Sequence, residues 1–141
     1  MNENFAVYPS LRDRVVFVTG GASGIGASEV AHFAEQGAKV AFVDINDEAG
    51  AALTKTVRDA GHHEPFYQHC DLRNIESLRK AIHTAADKFG PITVLVNNAA
   101  NDQRHKWEDV TVEFWDERMA TNLRHQFFAL QTVVPMMRQA G

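Results

Sequence analysis

The chain has 141 residues, enough for one domain with its own core and too few for two. With 45% hydrophobic and 23% charged residues it has an ordinary globular composition, and a net charge of −4 without a basic block argues against a nucleic-acid partner. No apolar run approaches the roughly 20 residues that span a bilayer, and the single cysteine, Cys70, has no internal disulfide partner, as fits a reducing cytoplasm.

The start, MNENFAVYPSLRDR, lacks a basic segment followed by an apolar stretch, so no secretory leader is expected. Val15-Val16-Phe17-Val18 is a short, fully apolar run rich in β-branched residues. It ends in a glycine cluster and reads as a buried strand. Val30, Phe33, Ala34 and Gly37 then recur at helical spacing, with Gly37 closing that helix. Residues 40–43 (VAFV) form a second buried strand. Asn46 is placed to cap a helix running to about Ala60, with Ala49, Leu53, Val57 and Ala60 on one face and Gly61 at its end.

Residues 66–70 predict a third, less apolar strand. Asn74 opens a helix in which Ile75, Leu78, Ile82, Ala85 and Phe89 keep i+3/i+4 spacing, and Gly90-Pro91 stops it. Residues 93–96 are a fourth buried strand. After a polar loop, Thr111 begins a long helical stretch through Gln139, with a stripe of Met119, Leu123, Phe127, Leu130, Val134 and Met137. Pro135 lies near its end and is expected to bend the last turns or free a carbonyl. The order is strand, helix, four times over, with no repeat and no low-complexity linker. Continuous apolar strands joined by helical crossovers imply a parallel sheet covered on both faces, a three-layer α/β/α arrangement.

Immediately after the first strand comes Thr19-Gly20-Gly21-Ala22-Ser23-Gly24-Ile25-Gly26. A turn from strand to helix that brings its backbone close to a phosphate has no room for Cβ atoms. Free N–H groups at the helix start then face the anion. A tight structural turn needs glycine too, so the context matters: a strand before, a helix after, and Asp44 closing the second strand. A carboxylate there can accept both ribose hydroxyls of an adenosine and would repel a 2′-phosphate. The glycine loop has no arginine or lysine and Ile45 follows Asp44, which favours NAD over NADP. A solvated aspartate at a strand end is the plainer alternative.

These motifs, with Cys70-Asp71-Leu72, Asn97-Asn98-Ala99-Ala100 and Asn122, resemble the classical short-chain dehydrogenase/reductase family, in the family's order and across the whole chain. The resemblance implies a Rossmann-type domain over residues 1–141 that holds NAD through Gly20, Ser23, Gly24, Ile25, Gly26, Asp44 and Ile45. It also implies that Asp71 and Leu72 lie against the adenine, and that Asn98, Ala99 and Ala100 support the sheet and the cofactor ribose. Ala100 stands where the family motif has glycine. Asn122 matches the family's active-site asparagine, whose backbone holds a water in the proton relay. Read without the family, an Asn inside an apolar helix is a local kink or a functional group.

Tyr8-Pro9-Ser10-Leu11, residues 101–106 (NDQRHK), Trp115-Asp116-Glu117-Arg118 and Asn122-Leu123-Arg124-His125 are further similar to NAD-dependent aldose (D-xylose-type) 1-dehydrogenases, which oxidise a sugar's anomeric hydroxyl to a lactone. Asn101, Arg104 and His105 are the candidate substrate contacts, although a solvated loop of this composition is common. The family often builds dimers or tetramers on its long helix, so a homo-oligomer is expected, in the cytoplasm and without membrane or nucleic-acid partners.

The family's catalytic serine, and its tyrosine four residues before a lysine, fall downstream of Asn122, and no such set precedes Gly141. Neither Tyr8 nor Tyr67 has a lysine four residues later. The expectation is a Rossmann-type part truncated after the fourth strand and its long helix, lacking the C-terminal catalytic part and inactive alone. A non-catalytic NAD(H)-binding module and an NADP-dependent carbonyl or oxoacyl reductase remain the alternatives. His62-His63 and His69-Cys70 do not repeat as a ligand set, so no metal is expected. Trp107 and Trp115 are expected to pack the loop and helix around them.

Overall fold

A computed structural model describes residues 6–141, so the leaderless reading of the N-terminus falls partly on residues 1–5, outside the described residues. The elements are β1 Val15–Thr19, α1 Gly24–Glu35, β2 Lys39–Asp44, α2 Asp47–Asp59, β3 Phe66–His69, α3 Ile75–Phe89, β4 Val94–Asn97, α4 Val112–Met119 and α5 His125–Ala140. Short 3-10 turns span Pro9–Leu11 and Trp107–Asp109. The four strands are all parallel in the order β3-β2-β1-β4.

Alternate strand residues point to opposite faces, and each face has its own core. Val15, Phe17, Ala41 and Val43 pack on one side with Leu78 and Ile82 of α3 and Ala129 and Val133 of α5. Val16, Val18, Val40 and Phe42 pack on the other with Val30 and Ala34 of α1 and Val57 of α2. Burial on both faces is why β1 and β2 read as continuous apolar runs rather than alternating ones. Phe17 and Phe42 are fully buried, which contributes about 1.5–3 kcal/mol each. Asn46 and Asn74 cap α2 and α3, accepting the N–H groups of Ala49 and Ser77 at 3.0 and 3.1 Å.

The last helical stretch departs from the sequence reading. Thr111 caps α4 through the N–H of Phe114, but a π-helical segment, Ala120–Arg124, separates α4 from α5. One extra residue in a turn rotates everything after it relative to everything before. Ala120, His125, Ala129 and Val133 are the buried positions, while Met119, Leu123, Phe127 and Leu130 are exposed. The small residues let the helix approach the sheet, and most of the apolar stripe faces outward; of the six, only Met137 packs on the core cluster. Pro135 lies inside α5 without ending it. Trp107 and Trp115 are 82% and 59% exposed, so neither packs as expected. No helix among the described residues is long and apolar enough to cross a membrane.

Candidate functional site

Each strand of the parallel sheet delivers its carboxyl end to one edge, and a cleft of about 490 Å³ opens there. Gly20, Ser23, Ile25 and Gly26 line it from the β1–α1 turn, and Asp44 and Ile45 from the end of β2. Cys70, Asp71, Leu72 and Arg73 follow β3, residues 98–101 follow β4, and Glu117 and Thr121 come from the far side.

The β1–α1 turn is held open by main-chain and carboxylate bonds. The Val43 carbonyl accepts the N–H groups of Gly20 and Gly21 at 2.8 and 3.1 Å. Asp44 Oδ2 accepts the N–H of Ala22 at 3.0 Å, and its Oδ1 accepts that of Asn46 at 3.1 Å. One carboxylate thus ties the glycine turn to the end of β2 while still lining the cleft. Gly26 has no room for a side chain: a Cβ there would collide with the Gly20 carbonyl oxygen and lie 2.5 Å from Asn98 Nδ2. Gly24 is the opposite case. Its φ is +55°, yet a Cβ there would meet nothing within 4 Å. Its positive φ suits glycine, and the space beside it is open, although Gly24, unlike Ser23, Ile25 and Gly26, does not line the cleft.

Helices α2, α3 and α4 have side-chain N-caps, and α1 does not. Ser23 makes no capping bond, and the first turn of α1 has no acidic residue. Its leading N–H groups therefore keep their unpaired donors and their share of the helix dipole toward the cleft.

Thr19, fully buried, joins the glycine turn to the segment after β4. Its hydroxyl accepts the N–H groups of Asn98 and Ala99 at 3.1 and 3.2 Å. Asn98 Nδ2 in turn donates to the carbonyls of Thr19 and Gly20, both at 3.0 Å. This support places Ala99 and Ala100 on the cleft wall.

On the β3 side, Asp71 is wrapped by Arg73. Oδ1 accepts the backbone N–H and Nε of Arg73 at 3.0 Å each, and Oδ2 accepts Nη2 at 2.6 Å. Hydrogen bonding from the Arg73 side chain holds the Asp71 carboxyl below its usual range. Burial pushes the Cys70 thiol up to about 11, so it stays protonated at neutral pH. The Tyr67 hydroxyl donates to Asp47 at 2.6 Å and to the Asp44 carbonyl at 3.2 Å. Burial, with the Asp47 bond, raises that phenol well above its ordinary value, so it is no candidate base.

Asn122 lies in the π-helical segment, and its side chain faces the loop after β4. Its Oδ1 accepts the N–H of Asn101 at 2.7 Å, and its Nδ2 donates to the Asn101 carbonyl at 2.9 Å. The Asn122 carbonyl accepts Gln126 Nε2 at 2.9 Å. Of the substrate candidates, Asn101 lines the cleft. Arg104 and His105 are exposed and do not, and the His105 ring lies on Phe114 with centroids 4.0 Å apart. Sequence reasoning gave no site role to Arg73, Glu117, Thr121 or Thr19: Thr19 and Glu117 lie within motifs it quoted, and Arg73 and Thr121 adjoin others.

Residues 14–141 match the family described as short chain dehydrogenase. A probable galactose dehydrogenase of Rhizobium meliloti is 52% identical over 134 residues, covering 95% of this chain and 52% of the relative. The D-xylose 1-dehydrogenase of Caulobacter vibrioides is 48% identical over 136 residues, covering 96% and 53%. The chain thus spans about half the length of the curated relatives it matches. Among solved structures, a short-chain dehydrogenase/reductase from Serratia marcescens superposes with a TM-score of 0.87 at 32% identity, over 92% of this chain and 53% of that one. A blue fluorescent protein from a metagenomic library, in complex with NADPH, matches with a TM-score of 0.85 at 32% identity, over 90% and 52%. The chain belongs to the short-chain dehydrogenase family.

Proposed function

We propose that this chain is the cofactor-binding part of an NAD-dependent short-chain dehydrogenase that oxidises the C1 hydroxyl of an aldose. The observation that carries the cofactor assignment is Asp44. Its carboxylate closes β2, lines the cleft and is already oriented by the N–H groups of Ala22 and Asn46. The ribose hydroxyls would donate to it, and a 2′-phosphate would meet like charge. The names of the galactose and xylose dehydrogenases support the sugar class.

The residues present fit a dinucleotide. The uncapped start of α1, with Ser23, Ile25 and Gly26 on the cleft, suits a pyrophosphate, and Asp71 and Leu72 would provide the adenine wall one strand beyond Asp44. Residues 98–101, fixed by Thr19, would carry the nicotinamide-ribose side. Bound NAD+ supplies the hydride acceptor. Asn122 sets the height of the loop after β4 by gripping Asn101, which would place that loop's polar groups beside the sugar. Asn101 is the contact this arrangement favours, ahead of Arg104 and His105. The homo-oligomer and cytoplasmic location expected from the sequence complete the proposal.

Calorimetric titration of the purified chain with NAD+ and NADP+ tests the cofactor reading. NAD+ binds at least about tenfold tighter if Asp44 acts as argued, and equal or tighter NADP+ binding sinks it. Aldose oxidation by the chain alone, free of longer forms, would refute the reading that catalysis needs residues beyond this part.

A further inference from the structure

Arg73 has no role in the reading above, yet it is the most heavily tied side chain on the cleft. It engages both oxygens of Asp71 through its backbone N–H, Nε and Nη2 at 2.6–3.0 Å. Its Nη1 lies 3.6 Å from Glu117 Oε1 on α4, across the cleft mouth. Its own carbonyl accepts Arg124 Nη2 at 3.0 Å from the π-helical segment. The arginine is thus fixed from two sides while it fixes the aspartate.

The Arg73 side chain is 52% exposed and that of Asp71 41%, so the pair adds little to folding stability once solvent screening is counted. A bidentate fork supplemented by a main-chain N–H chiefly fixes orientation. What it orients follows from the sheet. With the ribose at Asp44, the base extends toward β3, the next strand, which pairs Asp44 with His69. Asp71, two residues on, is the carboxylate that lines the cleft there. A carboxylate only accepts hydrogen bonds. Held in one pose, it selects a base that presents a donor and rejects one that presents a carbonyl in its place.

We propose that Arg73 is a positioning residue for base selection, holding Asp71 so that it accepts the exocyclic amino group of adenine. This rests on the reading of the cleft as a dinucleotide site.

The test is calorimetry of the chain with NAD+ and with nicotinamide hypoxanthine dinucleotide, which carries a carbonyl where adenine carries the amino group. The wild type favours NAD+ by about tenfold or more, the range for a hydrogen bond to a charged group. Arg73→Gln brings that ratio to within about threefold of unity, and Arg73→Lys, which keeps charge without the fork, falls between. A merely structural role would weaken both dinucleotides equally and leave the ratio intact; that outcome overturns the proposal. So does a wild type that binds both dinucleotides equally, although the cofactor reading survives it. A wild type that binds neither removes the cofactor reading and the proposal together.

Discussion

Asn122 and Asn101 hold each other reciprocally, the side chain of one accepting and donating to the backbone of the other at 2.7 and 2.9 Å. The pair is the tether between the π-helical segment and a loop whose residues 101–111 are all exposed. Asn122→Leu removes both bonds and is expected to cost about 2 kcal/mol, at about 1 kcal/mol net per bond. Asn122→Asp keeps the acceptor and loses the donor, so it falls between. Denaturation midpoints rank the variants, and amide exchange at Asn101 shows whether the loss is local. Protection at Asn101 that survives in Asn122→Leu contradicts the tether.

The two glycines that bracket the start of α1 separate stability from binding. Gly26→Ala drives a methyl into the Gly20 carbonyl and the Asn98 amide, so the turn must shift. It should destabilise the chain by about 2 kcal/mol or more, as strained core substitutions do. Gly24→Ala meets no atoms, and its penalty is the positive φ alone, about 1–2 kcal/mol. Its methyl would nevertheless stand at the uncapped start of α1, where the proposed pyrophosphate would lie. NAD+ affinity in Gly24→Ala should fall much further than its melting temperature. Unchanged affinity in that variant would move the phosphate site elsewhere.

Asp44 has a structural role, and the proposed function adds a selective one; substitutions can divide them. Asp44→Asn retains an oxygen for the Ala22 N–H, gives up the bond from the Asn46 N–H and carries no charge. NAD+ affinity should drop by about tenfold or more through loss of charge-assisted bonds. NADP+ affinity should hold or rise, because the like-charge penalty on a 2′-phosphate is gone. Titrating both dinucleotides measures the ratio, and an NAD+ preference as strong as the wild type's would assign selectivity to other groups.

Much of the fold was legible because its signals are local. The VVFV and VAFV runs are buried on both faces, and Asn46 and Asn74 cap the helices they were assigned. The cleft was legible wherever a residue type answers to a backbone need, as Gly20, Gly26 and Asp44 do. The α4–α5 stretch was misread because periodicity weighs large apolar residues. Contact there is made by Ala120, His125 and Ala129, and the π-helical turn breaks the register that the counting assumes. The pairing of Arg73 with Glu117 was invisible for another reason: their 3.6 Å approach joins elements whose packing no local pattern encodes.

His125 is the least expected member of that buried face. It is fully buried, and neither ring nitrogen completes a hydrogen bond. Burial holds the imidazole below its ordinary value, an effect the backbone carbonyls of Thr121 and Ala120 only partly offset. The unfolded chain, with a histidine pKa of about 6.5, takes up a proton that the folded chain refuses. Stability contributed by this residue is therefore intact above about pH 6.5 and declines as pH falls through that value toward the lower folded one. His125→Leu replaces the ring with an apolar group and removes two unpaired polar atoms. At neutral pH it should lose no more than about 1 kcal/mol, the desolvation it relieves offsetting imperfect packing. Denaturant midpoints measured between about pH 8 and about pH 5 should slope less in this variant than in the wild type. Parallel slopes would mean that His125 takes no part in the acid sensitivity of the fold.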